Sequence, residues 1–338
     1  MTTKRRSLVA VYLCCLIIIS STEKRATTAY AFSASTSSPP TKQKPTPIPI
    51  PPGILGPPEP LKSLEVGQSV NAFRSVVVTP SSPDDNDDEQ NQEDEQRIDF
   101  TIERVANTPN IYVLRNFVTP FECEQIQVLA TERGMKMAET ITKNDTKSRK
   151  NCSVAWLPSA GPDASSIVSG LVTSTANIFL SNSVKSHPTA GVEDLQVLKY
   201  DIGGEFVHHH DGDCRILTVI YYINGVGGTW FPLADEDCAS GTNNNNLPKN
   251  KAKALELAED LVPGEHGILL TGSGGGGDSG TRTVRMNKGD AVAFYNYLDE
   301  GSAQLDWTAL HCGLPTSKKD ETKWIANHWY RLNVLASY

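Results

Sequence analysis

A mainly β fold with flanking helices, of the sandwich or jelly-roll kind, is what the C-terminal part of this 338-residue chain predicts. Short runs rich in β-branched and aromatic residues, separated by glycines and asparagines, make up most of it: 195–200, 206–211, 216–224, 291–295 and 324–334. Two helical periodicities precede them. Ahead of both lies a proline-rich and acidic stretch that has too little apolar side chain to pack a core.

Composition sets the outer limits. With 38% apolar and 21% charged residues the chain can bury a core of one or two domains. The net charge is −8, and residues 84–96 carry eight acidic residues with no basic one. That block accounts for the whole imbalance, so the remainder has no basic excess for binding nucleic acid. No apolar run reaches the length of about 18 residues that crosses a bilayer unaided, which excludes a polytopic membrane protein.

The N-terminus reads as a signal or targeting segment over residues 1–32. Lys4, Arg5 and Arg6 precede an unbroken apolar run, Leu8 to Ile19, followed by small polar residues. This layout predicts the secretory pathway, with the endoplasmic reticulum or Golgi lumen as destination, and an uncleaved signal anchor as the variant that leaves a tether. The stretch Thr27 to Phe32 is similar to the bipartite presequences of complex plastids, the alternative location. Residues 33–97 read as a solvated linker, because ten of the 21 prolines fall between Pro39 and Pro60. The folded domain is then expected over 98–338.

Within it, Thr119-Pro120-Phe121-Glu122 presents an N-cap, a first-turn proline and a first-turn acid, and predicts a helix through Cys123, Ile126, Leu129 and Ala130 to Gly134. A second helix follows Asp163. Residues 239–285 read as an insert: an asparagine run, a helix from about Lys249 to Val262, and six glycines between Gly272 and Gly280. The glycine tract has no Gly-Lys-Ser/Thr to hold phosphate, so it reads as a surface loop. Beyond Cys14 and Cys15 the cysteines (123, 152, 214, 238 and 312) are odd in number and irregularly spaced, leaving room for one or two disulfides. Asn144-Asp-Thr and Asn151-Cys-Ser are glycosylation sequons that would suit a lumenal loop.

The chemistry concentrates in Tyr200-Asp-Ile-Gly-Gly-Glu-Phe-Val-His-His-His-Asp211. On a strand, His209 and Asp211 share one face and His208 and His210 the other. The first pair, joined by a distant histidine, makes the two-histidine, one-carboxylate set that binds non-haem Fe(II) and leaves positions open for oxygen chemistry. The second would suit zinc or copper with further ligands. Spacing alone leaves both open.

Further motifs agree in order. Glu193 to Tyr200, Gly203, His209, Asp211, Arg215, Thr218, Tyr222, Asn224 and Gly227-Gly-Thr-Trp-Phe-Pro232 are followed by Lys288-Gly-Asp290, Phe294, Asp306, His311, Gly313, Pro315, Lys323-Trp324, Trp329 and Arg331. From about Val113 to Asn333 the chain resembles the prolyl 4-hydroxylase alpha-subunit family of Fe(II)- and 2-oxoglutarate-dependent dioxygenases. The resemblance implies a double-stranded β-helix with His209, Asp211 and His311 as iron ligands. It implies Lys323, partnered by Tyr200, on the 2-oxoglutarate C5-carboxylate, Arg215 and Thr218 as further cosubstrate contacts or as organisers of the sheet, and Trp329 as lining the substrate channel or as a core aromatic. By the same resemblance the enzyme takes O2, uses L-ascorbate to rescue oxidised iron, and hydroxylates a proline-rich peptide or protein at proline C4, releasing succinate and CO2. Two alternatives compete: a dioxygenase of another side chain or a small molecule, and a binding module without catalysis. The motif departs from the family in its longer 239–285 insert and in the flanking imidazoles of His208 and His210.

Overall fold

The computed structural model describes residues 11–12, 53–78, 94–138, 148–235, 247–272, 282–299, 303–315, 322–333 and 335. Most of the targeting segment, most of the acidic block, Asn144, Cys238 and most of the glycine tract lie outside these residues. The chain opens with β1 (Val11–Tyr12), β2 (Ser69–Val78), β3 (Asp94–Ala106) and β4 (Ile111–Arg115), neighbours in one antiparallel run. Helix α1 (Pro120–Arg133) begins where expected, with Thr119 and Glu122 forming a reciprocal capping box. Strands β5 (Lys136–Met137) and β6 (Arg149–Leu157) lead to α2 (Ser166–Phe179), capped by Ser165, and to the short α3 (Asn182–Lys185).

The remaining elements build the rolled half. They are β7 (Ala190–Val192), β8 (Leu195–His209), β9 (Arg215–Tyr222), β10 (Gly228–Phe231), α4 (Lys251–Ala258), β11 (Ile268–Thr271), β12 (Thr283–Arg285), β13 (Ala291–Tyr295), β14 (His311–Leu314) and β15 (Lys323–Leu332). All strands join one curled sheet of jelly-roll type, in the order β1-β2-β3-β4-β13-β9-β15-β8-β14-β10-β11-β12, with β5, β6 and β7 off this path. Two runs that read as separate strands, 195–200 and 206–211, form the single bent strand β8. Its first half pairs β15 and its second half β14, while β6 follows it along both halves. Gly203 makes the bend possible with φ +74°, and at Gly204 a Cβ would lie 2.7 Å from the Asp201 carbonyl oxygen. β8 therefore crosses from one face of the roll to the other, carrying the site with it.

Three expectations are corrected. The solvated linker does not extend to residue 97: Leu55 and Leu61 are buried in the main core, and β2 pairs with β3 along its whole length. Prolines conceal this in the sequence, since the few apolar residues between them are the ones that pack. The insert is not all insert, because β11 is fully buried and adds a central strand between β10 and β12. Asn151 sits at a bulge in β6 with φ +44°, its amide donating to the Ile202 carbonyl, rather than in a loop. Cys123, Cys152, Cys214 and Cys312 are free, buried thiols, so no disulfide forms among the described residues.

A buried ion pair ties the N-terminal segment to the first helix. Arg74 donates to Glu122 and, through Nε, to the Phe117 carbonyl at 2.9 Å, with both charged side chains nearly fully buried. Arg74→Ala strands the Glu122 carboxylate, and is expected to cost about 3–5 kcal/mol in denaturant unfolding; removing residues 53–97 should unfold the domain.

Candidate active site

Antiparallel pairing places the last residue of β8 against the first of β14, so that His209 and His311 face each other directly with ring centroids 4.1 Å apart. Each imidazole is fixed by the strand that carries it. His209 Nδ1 donates to the Val207 carbonyl and His311 Nδ1 to the Ala309 carbonyl, both at 2.9 Å. A carbonyl only accepts, so each Nδ1 holds the proton and each Nε2 turns a lone pair inward. Asp211, two residues beyond β8, completes the set: Oδ1 lies 3.6 Å from His209 Nε2 and Oδ2 3.7 Å from His311 Nε2. The three ligand atoms fall within 4.8 Å of one another, and no other three such donors converge among the described residues. Bonds of about 2.0–2.2 Å to a shared ion put neighbouring donors about 3 Å apart, so the set needs only a small contraction to take one.

The rival histidines point elsewhere. His210 donates through Nε2 to the Asp306 carbonyl at 2.8 Å, accepts from the Gly212 amide and packs against Trp307. His208 meets the edge of Trp230.

Asp211 is oriented by two groups that the sequence reading assigned otherwise. Thr218 Oγ1 and Trp329 Nε1 both donate to Oδ2, each at 2.9 Å. They are cross-strand partners on β9 and β15, so one row of the sheet holds the carboxylate. Trp329, expected as a channel or core aromatic, is 3% exposed and donates to this carboxylate. Thr218, expected to contact cosubstrate, is fully buried and in turn accepts from Asn296 Nδ2 at 2.9 Å. Arg215 is likewise committed, bidentate to Glu193 and stacked 4.0 Å from the Trp329 ring centroid. Burial opposes charge on Asp211, but His311, His209 and Arg215 with the Trp329 hydrogen bond override it and hold its carboxyl well below the usual range. Burial, then the neighbouring His311, pushes His209 well below an ordinary imidazole. An anionic carboxylate flanked by two inward-facing Nε2 atoms is a donor set that a divalent ion can use.

Lys323 is buried on β15, the strand paired with the first half of β8. It opens β15 directly opposite Tyr200, and Tyr200 in turn faces Cys152 on β6. The ammonium, 1% exposed, donates to the Gly228 carbonyl at 2.7 Å and sits 5.5 Å from the Tyr200 ring centroid. Gly227 makes room for its stem, since a Cβ there would fall 2.5 Å from Lys323 Cδ. No carboxylate among the described residues pairs with this buried cation, and burial pulls it down to about 8. A buried ammonium without a counter-charge is suited to a ligand that brings one.

Sequence reasoning missed the aromatic walls. Phe206 stacks on His209 at 3.6 Å between centroids, and Phe231 and Phe294 flank His311. Their alternation within the strands was the available signal, but alternation does not say which aromatic meets which histidine.

Residues 195–331 match the model of the 2OG-Fe(II) oxygenase superfamily. This chain is similar to prolyl 4-hydroxylase 2 of Arabidopsis thaliana, 28% identical over 248 residues, which cover 69% of this chain and 70% of that protein. It is also similar to the transmembrane prolyl 4-hydroxylase of Mus musculus, 28% identical over 171 residues that cover 42% of this chain and 30% of that protein. Among solved structures it is similar to the viral collagen prolyl hydroxylase of Paramecium Bursaria Chlorella virus-1 in its 2OG complex, with 21% identity and a TM-score of 0.42 over 67% of this chain and 98% of that one. The donor set fits iron, since two imidazoles and one carboxylate would leave further coordination positions for other ligands. Thr218→Val and Trp329→Phe each release Asp211 from one restraint, and each should weaken Fe(II) binding about 10–100-fold in an anaerobic titration.

Proposed function

We propose that this domain is a peptidyl-proline 4-hydroxylase in which His209, Asp211 and His311 hold Fe(II), and in which Lys323 with Tyr200 holds the C5-carboxylate of 2-oxoglutarate. The observation that carries the reading is the pairing of the three convergent donors with a buried ammonium that has no carboxylate of its own. Bound iron supplies the oxidising chemistry with O2 and 2-oxoglutarate, giving hydroxyproline, succinate and CO2. The chain's part is positional. Val207 and Ala309 set the two imidazoles, Thr218 and Trp329 set the carboxylate, and Lys323 aligns the keto acid by its far end.

The names of the curated relatives support proline as the hydroxylated residue. The complete donor set speaks against a module that has lost catalysis. L-ascorbate as rescuer of oxidised iron, a proline-rich substrate, and residence in the endoplasmic reticulum or Golgi lumen are part of the same proposal, the last supported by the basic and apolar N-terminus. Among the described residues no helix is long and apolar enough to cross a membrane.

With Fe(II), 2-oxoglutarate and ascorbate, the full chain should convert a proline-rich peptide to its hydroxyproline form with matching succinate, by mass spectrometry, and His311→Ala should abolish both. Turnover of 2-oxoglutarate without any hydroxyproline would refute the substrate assignment. The depressed Lys323 also sets a pH dependence. Below pH about 8 the free enzyme holds the ammonium; above it a proton must be taken up to bind the dianion, so the Kd for 2-oxoglutarate should rise by up to about tenfold per pH unit. Isothermal titration of the Mn(II)-loaded protein across pH 7–10 measures this, with Lys323→Ala weak throughout.

A further inference from the structure

We propose that Arg149 reads an acidic side chain of the peptide substrate, close to the proline being hydroxylated. The inference deepens the peptidyl-proline reading and rests on it. Arg149 opens β6 in register with Phe206 of β8. Its guanidinium lies 4.2 Å from the Phe206 ring centroid, and Phe206 stacks on His209, so a cation, a phenyl ring and a proposed metal ligand form one stack. The charge on Arg149 is uncompensated. Four other arginines have acids: Arg215 and Arg331 share Glu193, Arg115 has Glu103 and Asp290, and Arg74 has Glu122, while Arg104, also without an ion pair, donates to the Lys62 and Leu64 carbonyls and to Asn110. Arg149 has no carboxylate within 4.0 Å among the described residues. Its only hydrogen bond among them, Nη2 to Gln196 Oε1, is stretched to 3.5 Å, and Nε is enclosed without any partner.

A second observation points to the same place. Asn327 lies against Gln196, to which its amide reaches at 3.5 Å, and its Oδ1 is enclosed and unpartnered. Gln196 and Asn327 face each other across β8 and β15, 4% and 8% exposed, in the rows that also carry Tyr200, Lys323 and Trp329. Enclosed donors and acceptors without partners are costly, and a ligand that satisfies them recovers that cost. A carboxylate on the guanidinium with a peptide N–H on Asn327 Oδ1 fits both. The cosubstrate also carries carboxylates, but in the proposed site Lys323 and the metal account for its two ends.

The test uses proline-rich peptides that differ only by Asp, Asn or Lys placed at each position within three residues of the target proline. The unaltered full-length enzyme should favour one Asp peptide over its Asn counterpart by about tenfold in kcat/KM, mostly in KM, and the ratio should shrink as salt rises. Arg149→Gln should bring the ratio near one, and Arg149→Glu should favour the Lys peptide instead. The salt dependence needs no variant, so it decides the matter even where a substitution harms folding. Equal use of Asp and Asn peptides, or a preference that survives Arg149→Gln, overturns the inference while hydroxylation of the Asn peptide still upholds the function. A raised KM for 2-oxoglutarate in Arg149→Gln with the peptide ratio unchanged assigns the guanidinium to the cosubstrate and also overturns it. Absence of hydroxyproline from every peptide sinks the inference together with the reading beneath it.

Discussion

The antiparallel pairing of β8 with β14 is the constraint on which the site depends, because it sets His209 against His311 with no loop between either imidazole and the sheet. Side chains alternate along a strand, so a slip of one residue would turn an imidazole to the opposite face. The register is secured on both sides. β8 is held along its other edges by β6 and β15, and β14 is held by β10. Backbone carbonyls within the same segments then fix the ring orientations, so that strand geometry alone determines where both Nε2 atoms point.

The carboxylate needs more help, since Asp211 lies beyond the end of β8. It is held by a row running across the sheet, in which Asn296 supports Thr218, and Trp329 is backed by Arg215 and its acid Glu193. Lys323 shows the opposite arrangement, a charge buried and left without an acid. Both choices reduce stability in the absence of ligands: three ligand atoms converge on one another, and an ammonium is buried without a carboxylate partner among the described residues. That is the expected trade for a site whose missing charges arrive with the metal and the keto acid.

The jelly-roll class was legible in alternating apolar strands, whereas the grouping of His209, Asp211 and His311 was legible only through the ordered motifs of the family resemblance, since spacing alone left the rival histidine pair open. Less legible was anything decided by which strand lies beside which. Trp329 and Thr218 read as channel and cosubstrate residues, since nothing local reveals that β9 and β15 bring both to one oxygen of Asp211. Arg149 stood in a polar stretch beside a sequon, and only the pairing of β6 with β8 places it over Phe206. The packing of residues 53–64 on the domain was hidden by composition, as Leu55 and Leu61 are isolated apolar residues among prolines that nonetheless join the main core.

Anomalous X-ray scattering from crystals of the Mn(II)-substituted protein locates the metal relative to the three donors. A single strong peak is expected about 2.0–2.2 Å from His209 Nε2, His311 Nε2 and a carboxylate oxygen of Asp211. A peak on His208 or His210, or metal bound without His311, would contradict it.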